Sequence, residues 1–386
     1  MNPHPQNVVE LCQALIRIPS VNPDGNPGTD QVGEKKCAEF IGAFLEKCGA
    51  QIEFQPVLPD RPNVIARFPT DSVGIKKPRI VFAPHTDTVS VAGMTIPPFD
   101  AELRDGKIFG RGASDTKGPM AAMLWALWEM RERIPSLSHE IWFAGLVSEE
   151  AGQNGAKVFA REFGNFRGKN SSDAENAESE IFGLIGEPTN CDIVNTHKGA
   201  VWLTLETRGV AVHASTPERG ENAIYKMAEA IFWLRNEFQA ELKKLADPIL
   251  GAQTLNVGTI FGGSKTNIVP DFCHATVDIR TVPAQDTQSL VDQVNKRFPG
   301  LIAKARQSRP LFTEPSHPLI CALEKAGGKC VGAPWFCDAA IFSKAGIPSV
   351  AAGPGDIAQA HTNDEWIAID ELERGVKFYR AFLSEL

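Results

Sequence analysis

His85 and Asp87 stand two residues apart at the end of the apolar run Arg79-Ile80-Val81-Phe82-Ala83-Pro84. Extended chain places residues i and i+2 on one face, so a metal ion bound by the imidazole would have a carboxylate behind it to orient the ring. The same pattern, an apolar run and then a metal-ligand type of residue, recurs along the chain. Glu140 to Ser148 runs into Glu149-Glu150, Ile181 to Gly186 runs into Glu187-Pro188, and Ile347 to Ala352 leads through Gly353-Pro354-Gly355 to His361. Asp115 closes Gly110-Arg111-Gly112-Ala113-Ser114, just ahead of a helix expected from Pro119. A histidine after a strand is ordinarily just hydrogen-bonded in place, so the repetition carries the argument and no single residue does.

Two divalent ions a few ångströms apart need terminal ligands on each and a carboxylate able to bridge, and such a pair clamps the attacking and leaving oxygens of a hydrolysis. The inventory suits that arrangement. Three ligand carboxylates, Asp115, Glu150 and Glu187, together with one hydroxide balance the charge of two zinc ions while His85 and His361 stay neutral. Adjacent side chains point in different directions, so in Glu149-Glu150 one acid can bind metal while the other moves protons.

The elements that must position these groups follow from periodicity. Continuous apolar runs such as Arg79 onward read as buried parallel strands, whose carboxyl ends are where ligands collect in α/β sheets. Helices fit Asn7 to Ile18, Asp30 to Cys48 (Val32, Cys37, Phe40, Ile41, Phe44 and Leu45 on one face) and a short buried one from Pro119 to Met130; short strands fit Gln51 to Gln55 and Val64 to Phe68. This predicts an α/β fold with a mainly parallel twisted sheet and helices on both faces. The polar stretch Gly164 to Glu180 reads as an exposed loop without chemistry. After Lys198 the ligand pattern pauses, and strand, helix, strand, strand, helix, strand follow over Ala200–Thr207, Glu221–Phe238, Thr254–Ile260, Cys273–Arg280, Ala284–Phe298 and Leu301–Ala305. That order is the split β-α-β of a ferredoxin-like unit. The expected organisation is residues 1–198 and 308–386 as one discontinuous domain and 199–307 as an insertion.

Composition sets the outer bounds. The chain has 386 residues, 43% hydrophobic and 22% charged, enough for an ample core and for two domains. A net charge of −8 and the lack of basic runs interleaved with aromatics disfavour nucleic acid as a partner. No secretory signal and no membrane-spanning stretch is read, and eight scattered cysteines without C-x-x-C pairs suit reduced thiols in the cytoplasm.

His85-Thr86-Asp87-Thr88-Val89, Gly110-Arg111-Gly112-Ala113-Ser114-Asp115-Thr116-Lys117-Gly118, Ser148-Glu149-Glu150, Gly186-Glu187-Pro188-Thr189 and Gln359-Ala360-His361, in that order, resemble the dimetal aminoacylase and carboxypeptidase family, which includes acetylornithine deacetylase, succinyl-diaminopimelate desuccinylase and glutamate carboxypeptidase. The resemblance covers nearly the whole chain. It implies that His85 and Glu187 hold one zinc ion, that Glu150 and His361 hold the other, and that Asp115 bridges them; cobalt or manganese would fit similarly. Glu149 becomes the general base, with Asp87 behind His85. The inserted unit becomes a lid and dimerisation domain of a homodimer. In it, His213 matches a histidine that stabilises the tetrahedral oxyanion, and Asn267 and Arg280 match positions that contact substrate. Arg280 could equally be an ordinary ion pair with a neighbouring acid. Gly353 is also expected at the substrate.

Pro217-Glu218-Arg219-Gly220-Glu221-Asn222-Ala223-Ile224, Val277-Asp278-Ile279-Arg280, Gly353 to His361, and glutamate rather than aspartate at position 187 lean towards the acetylornithine deacetylase side. The implied activity is zinc-dependent removal of an acyl group, in the first place acetyl, from the α-nitrogen of a small amino acid. A desuccinylase or a dipeptidase-like metallopeptidase is the alternative, and a non-catalytic metal-dependent binding protein is the reading outside the class. The retained spare acid, Glu149, argues against the last. A serine hydrolase is disfavoured because Gly112-Ala113-Ser114-Asp115-Thr116 lacks the second glycine of the G-x-S-x-G elbow, and neither a P-loop nor a dinucleotide fingerprint is present.

Overall fold

The computed structural model describes residues 5–71, 76–164 and 180–386. Most of the stretch read above as a polar loop, 165–179, lies outside them. The chain forms two compact units: Met1–Asn195 with Thr313–Val331 and Cys337–Leu386, and Thr196–Phe312 with Gly332–Phe336.

The first unit is built on a sheet whose centre is parallel. Arg79–Phe82 pairs with Glu140–Gly145 on one side (Phe82 opposite Phe143) and with Ile181–Ile185 on the other (Phe82 opposite Leu184). Ser349–Ala351 continues the parallel set beside Gly183 to Ile185. These are the apolar runs of the sequence, and their burial on both faces is why they carry no alternation. Antiparallel strands join this set on both sides. Gln51–Leu58 and Arg61–Arg67 form an antiparallel hairpin added to Glu140–Gly145, and Val194 pairs antiparallel with Ala351 at the other side. The sheet is therefore mixed, with a set of four parallel strands at its centre. Because those strands are in register, their carboxyl ends lie together, and the residues that follow each one emerge at the same edge.

Lys117–Met130 crosses behind this edge with nearly every residue buried, packed against Val8–Ile16 and the last helix, Ile369–Ser384. That last helix was not read from the sequence. Its signal was there, since Leu372, Val376, Tyr379, Phe382 and Leu383 recur at helical spacing and are all buried. Tyr379 meets Phe82 edge to face at 5.9 Å, and its hydroxyl donates to Ala352 O at 2.6 Å. Burying side chains of this size contributes about 1.5–3 kcal/mol each.

The second helix corrects the expectation. It begins at Lys35, not Asp30. Gly33 has φ +90°, and Glu34 is fully buried in a two-pronged bond to Arg61 (2.6 and 2.8 Å), so the chain ahead of the helix is shaped by that pair and Val32 is exposed.

In the second unit Gly199–Arg208, Ala223–Trp233, Thr254–Gly262, Phe272–Thr281, Thr287–Arg297 and Ile302–Ser308 follow one another as strand, helix, strand, strand, helix, strand. The spatial order is Thr254–Gly262, Phe272–Thr281, Gly199–Arg208, Ile302–Ser308, each pair antiparallel, which is the ferredoxin-like arrangement. Asn222 caps the first helix by accepting from Ile224 N and Tyr225 N, and a π turn at Leu234–Phe238 ends it short of the regular helix expected to Phe238. Val201, Leu203, Leu205, Met227, Leu290 and Val294 fill the core between sheet and helices. Among the described residues no helix is long and apolar enough to cross a membrane.

Candidate metal centre

All five ligand-type residues of the sequence, His85, Asp115, Glu150, Glu187 and His361, belong to the first unit. His85 leaves the end of its parallel strand with Nδ1 at 3.0 Å from the Asp87 carbonyl and Nε2 at 3.0 Å from Asp115 Oδ1. With Nδ1 held by the carbonyl, Nε2 is the nitrogen that would ligate a metal. The other oxygen of Asp115, Oδ2, lies 3.4 Å from His361 Nε2, which is also 3.2 Å from Glu150 Oε2. Asp115 thus stands between two imidazoles and shows one oxygen to each. Ligand atoms of His85, Asp115 and Glu150 fall within 4.8 Å of one another. Glu187, buried after the strand Ile181–Ile185, and Glu150 each keep an Oε1 with no hydrogen-bond partner among the described residues. Buried carboxylate oxygens left unpaired are costly, and a divalent cation satisfies them, so this donor set fits a metal.

Asp87 does more than back His85. Its carboxylate is 3.5 Å from His85 Nδ1, while Oδ1 accepts from Glu149 N at 3.0 Å and Oδ2 accepts from Glu150 N at 3.1 Å and from Asn22 Nδ2 at 2.8 Å. The turn carrying both acids is therefore hung on the residue behind the histidine. Ser148 (φ +66°) and His361 (φ +64°) occupy the left-handed region, which costs a non-glycine residue on the order of 1–3 kcal/mol and is tolerated where surrounding bonds fix the backbone. Glu34 Oε1 supplies one such bond, accepting from Ser148 N at 3.1 Å. Thr116 Oγ1 donates to Gly186 O and so links the Asp115 loop to the residue before Glu187.

The electrostatics follow from crowding acids in a buried space. Burial pushes Glu149 well above the ordinary carboxylate range, with the charges of Asp338, Glu187 and Glu150 adding to the effect. Glu187 is pushed well up by burial and by Asp115, and Glu150 up by the same two causes. Burial acts on Asp115 in the same sense, but its bonds to His361 and His85 outweigh that and hold it below the usual range. The contacts with Asp115 and Glu150 raise His361 to about 10. Raised acids beside raised histidines describe a site that gathers protons where a cation would otherwise sit.

Asp338 is the residue that sequence reasoning missed. It is buried, neither carboxylate oxygen has a partner among the described residues, and burial pushes it to about 7. The strand that precedes it, Cys330–Ala333, was not read from the sequence, and Trp335-Phe336-Cys337 leads from it into a short helix, Ala339–Lys344. The one available signal was an acid flanked by apolar residues.

His213, Asn267 and Arg280 belong to the second unit. His213 and Asn267 lie on adjoining loops, with Ala214 N donating to Asn267 O at 3.0 Å, and His213 is exposed with Nδ1 at 2.7 Å from Ser215 Oγ. Arg280 is engaged as an ion pair: Nε and Nη2 both reach Asp278 Oδ2, at 3.1 and 3.0 Å. Gly353, expected to touch substrate, belongs to the first unit. It is buried, its N–H donates to Thr189 Oγ1 and its carbonyl accepts from Thr189 N and Cys191 N. A Cβ there would come within 2.7 Å of Glu187 O, so this glycine seats the Glu187 turn.

Two histidines and three carboxylates gather near the carboxyl ends of the parallel strands, with a further acid beside them, and His85, Asp115 and Glu150 among them are close enough to hold a metal ion. The chain belongs to peptidase family M20/M25/M40, whose model matches residues 81–385. It is 30% identical over 381 residues to the acetylornithine deacetylase of Proteus mirabilis, covering 95% of this chain and 93% of that one. Among solved structures it is similar to the M20 family metallo-carboxypeptidase Sso-CP2 from Sulfolobus solfataricus (TM-score 0.72, 20% identity, 98% and 99% of the two chains). It is also similar to the Bacillus subtilis YXEP protein, a dinuclear metal binding peptidase from the M20 family (TM-score 0.66, 15% identity, 97% and 96%).

Proposed function

We propose that this hydrolase is a two-metal amidohydrolase that removes an N-acyl group, in the first place acetyl, from the α-nitrogen of a small amino acid, as an acetylornithine deacetylase does. The observation that carries the reading is Asp115 facing His85 with one oxygen and His361 with the other, as a bridging carboxylate must. His85 and Glu187 would hold one ion, Glu150 and His361 the second, with zinc the default and cobalt or manganese compatible with the same donors. When bound, such ions supply Lewis acidity towards the acyl carbonyl and bring the pKa of water to about 7.

The remaining chemistry belongs to the chain. Glu149, raised by burial and by neighbouring acids, takes the proton of the attacking water and returns it to the leaving amine. His213 donates to the developing oxyanion. Asn267 and Arg280 orient the carboxylate of the amino acid; Asp278 fixes the guanidinium by two of its nitrogens, leaving the fork's other edge for that contact.

The inserted unit would serve as lid and as the interface of a homodimer. Two features support this. Its outer strand, Thr254–Gly262, is terminal in the sheet, and Tyr225 and Phe232 of the neighbouring helix, 70% and 66% exposed and seven positions apart, form one apolar stripe beside it. The eight free cysteines accord with a reducing, cytoplasmic setting.

Initial rates of the zinc-loaded protein on N-acetylornithine, other N-acetyl amino acids, N-succinyl-diaminopimelate and simple dipeptides test the reading. A preference for N-acetyl amino acids is the expected result. Preference for succinyl or peptide substrates would keep the mechanism and move the substrate class. Silence across the set with metal bound would sink the reading.

A further inference from the structure

The carboxylate of Glu365 is enclosed by four donors drawn from one five-residue run. Oε2 accepts from Arg111 Nη1 at 2.8 Å and from Gly112 N at 2.9 Å; Oε1 accepts from Ser114 N at 2.8 Å and from Asp115 N at 2.9 Å. The main chain of the same residue accepts from Gly110 N at 3.0 Å. Glu365 and Arg111 are both almost fully buried, so the pair carries its opposite charges into the interior with the remaining lone pairs satisfied by main-chain amides. Immediately after Glu365 the chain is fixed again, with Trp366 opposite Phe109 and Ile367 opposite Ile108 in an antiparallel ladder.

Position matters here as much as bonding. Glu365 lies four residues after His361 on one loop, and its carboxylate grips the peptide N–H of Asp115 on another, some 250 residues away in sequence. Ser114 Oγ adds a second tie between the two loops by donating to Asp356 O at 3.2 Å. A side chain that held only the fold together would need the Arg111 bond; it would not need to collect three main-chain amides, those of Gly112, Ser114 and Asp115, from the turn that aims Asp115.

We propose that Glu365 is the positioning residue of the metal centre: it fixes the loop of the bridging carboxylate Asp115 to the loop of His361, and so sets their spacing before any metal arrives. The inference rests on the metal-centre reading above. It predicts that loss of the Glu365 charge acts on metal affinity through both loops at once, whereas loss of Arg111 alone leaves the amide bonds and the spacing in place.

The test is zinc affinity measured by competition with a chromogenic chelator, which needs no turnover and therefore stands or falls apart from the substrate panel. In Glu365→Gln one oxygen becomes an NH2 facing two N–H donors, so half of the turn loses its acceptor. Zinc affinity is expected to fall by about 10–100-fold, the range typical when the groups that support metal ligands are removed, while Arg111→Met stays within a few-fold of the parent. Equal affinities for Glu365→Gln and the parent, in a folded variant, would overturn the proposal. Equal losses in Glu365→Gln and Arg111→Met would also overturn it and leave a purely structural ion pair. If Glu365→Gln does not fold, hydrogen exchange on the unaltered protein decides. The amides of Gly112, Ser114 and Asp115 are expected to be protected equally with and without zinc, and fast exchange in the chelator-treated protein would refute a turn set in advance.

Discussion

Asp87 Oδ1 accepts the main-chain N–H of Glu149 at 3.0 Å, across 62 residues of sequence. The acid behind His85, a proposed metal ligand, is thus also the anchor of Glu149, the proposed general base. Asp87→Ala removes four contacts together and is expected to lower both zinc affinity and turnover by about 10–100-fold while leaving the fold intact. Metal content after dialysis and initial rates check this; an Asp87→Ala protein with normal values on both would show that the turn holds itself.

Glu149 is beside the ligands without completing the His85, Asp115, His361 contact chain, so its loss should separate chemistry from binding. Glu149→Ala is expected to lose about 10²–10⁴-fold in kcat with unchanged metal content. Turnover close to the parent's would move the general base elsewhere, with Asp338 the next acid to replace.

The histidines give the metal-free protein a defined pH dependence. Contacts with Asp115 and Glu150 hold His361 up to about 10, above its value of about 6.5 in an unfolded chain. A raised folded-state pKa means the folded chain keeps the proton longer, so the stabilisation is complete below about pH 6.5 and is lost as pH climbs towards 10. His85, raised by Asp115 and Asp87 against the opposing effect of burial, has the same sign. Glu149, Glu150 and Glu187 add a loss in the same direction that starts lower, near the ordinary glutamate value. The ring of His361 is 56% exposed, and solvent screening makes its share modest. The melting temperature of chelator-treated protein is expected to fall from pH 6.5 to 9, and zinc, which takes these ligands deprotonated, should flatten the profile. A metal-free melting temperature that rises over this range would contradict the assignment.

Tyr225 and Phe232 offer the simplest test of the proposed dimer. Tyr225→Glu together with Phe232→Glu places two charges on the exposed stripe without touching the core of the unit. Sedimentation velocity is expected to show a dimer for the parent and a monomer for the double variant, which should still bind zinc but turn over poorly if His213 works within the dimer. An unchanged sedimentation coefficient would place the interface elsewhere or abolish it.

What was legible in the sequence was what depends on local pattern. The strands ending before His85, Glu149, Glu187 and Gly353 were readable because a buried parallel strand is a continuous apolar run, and the ligand types follow each one within a few residues. Helix boundaries were less so: the start at Lys35 depends on Glu34 finding Arg61, a partner 27 residues on that no local window contains. Three features were decided only by tertiary structure. Asp338 becomes a site acid because the fold buries it beside Glu149, Gly353 becomes a seat for Glu187 because Cys191 and Thr189 return to its backbone, and Glu365 grips the Asp115 turn from across the chain. In each case the physical reason is the same. Residue type and spacing state which groups can bind a cation, but burial and hydrogen-bond partners, which set charge and aim, come from segments far apart in sequence.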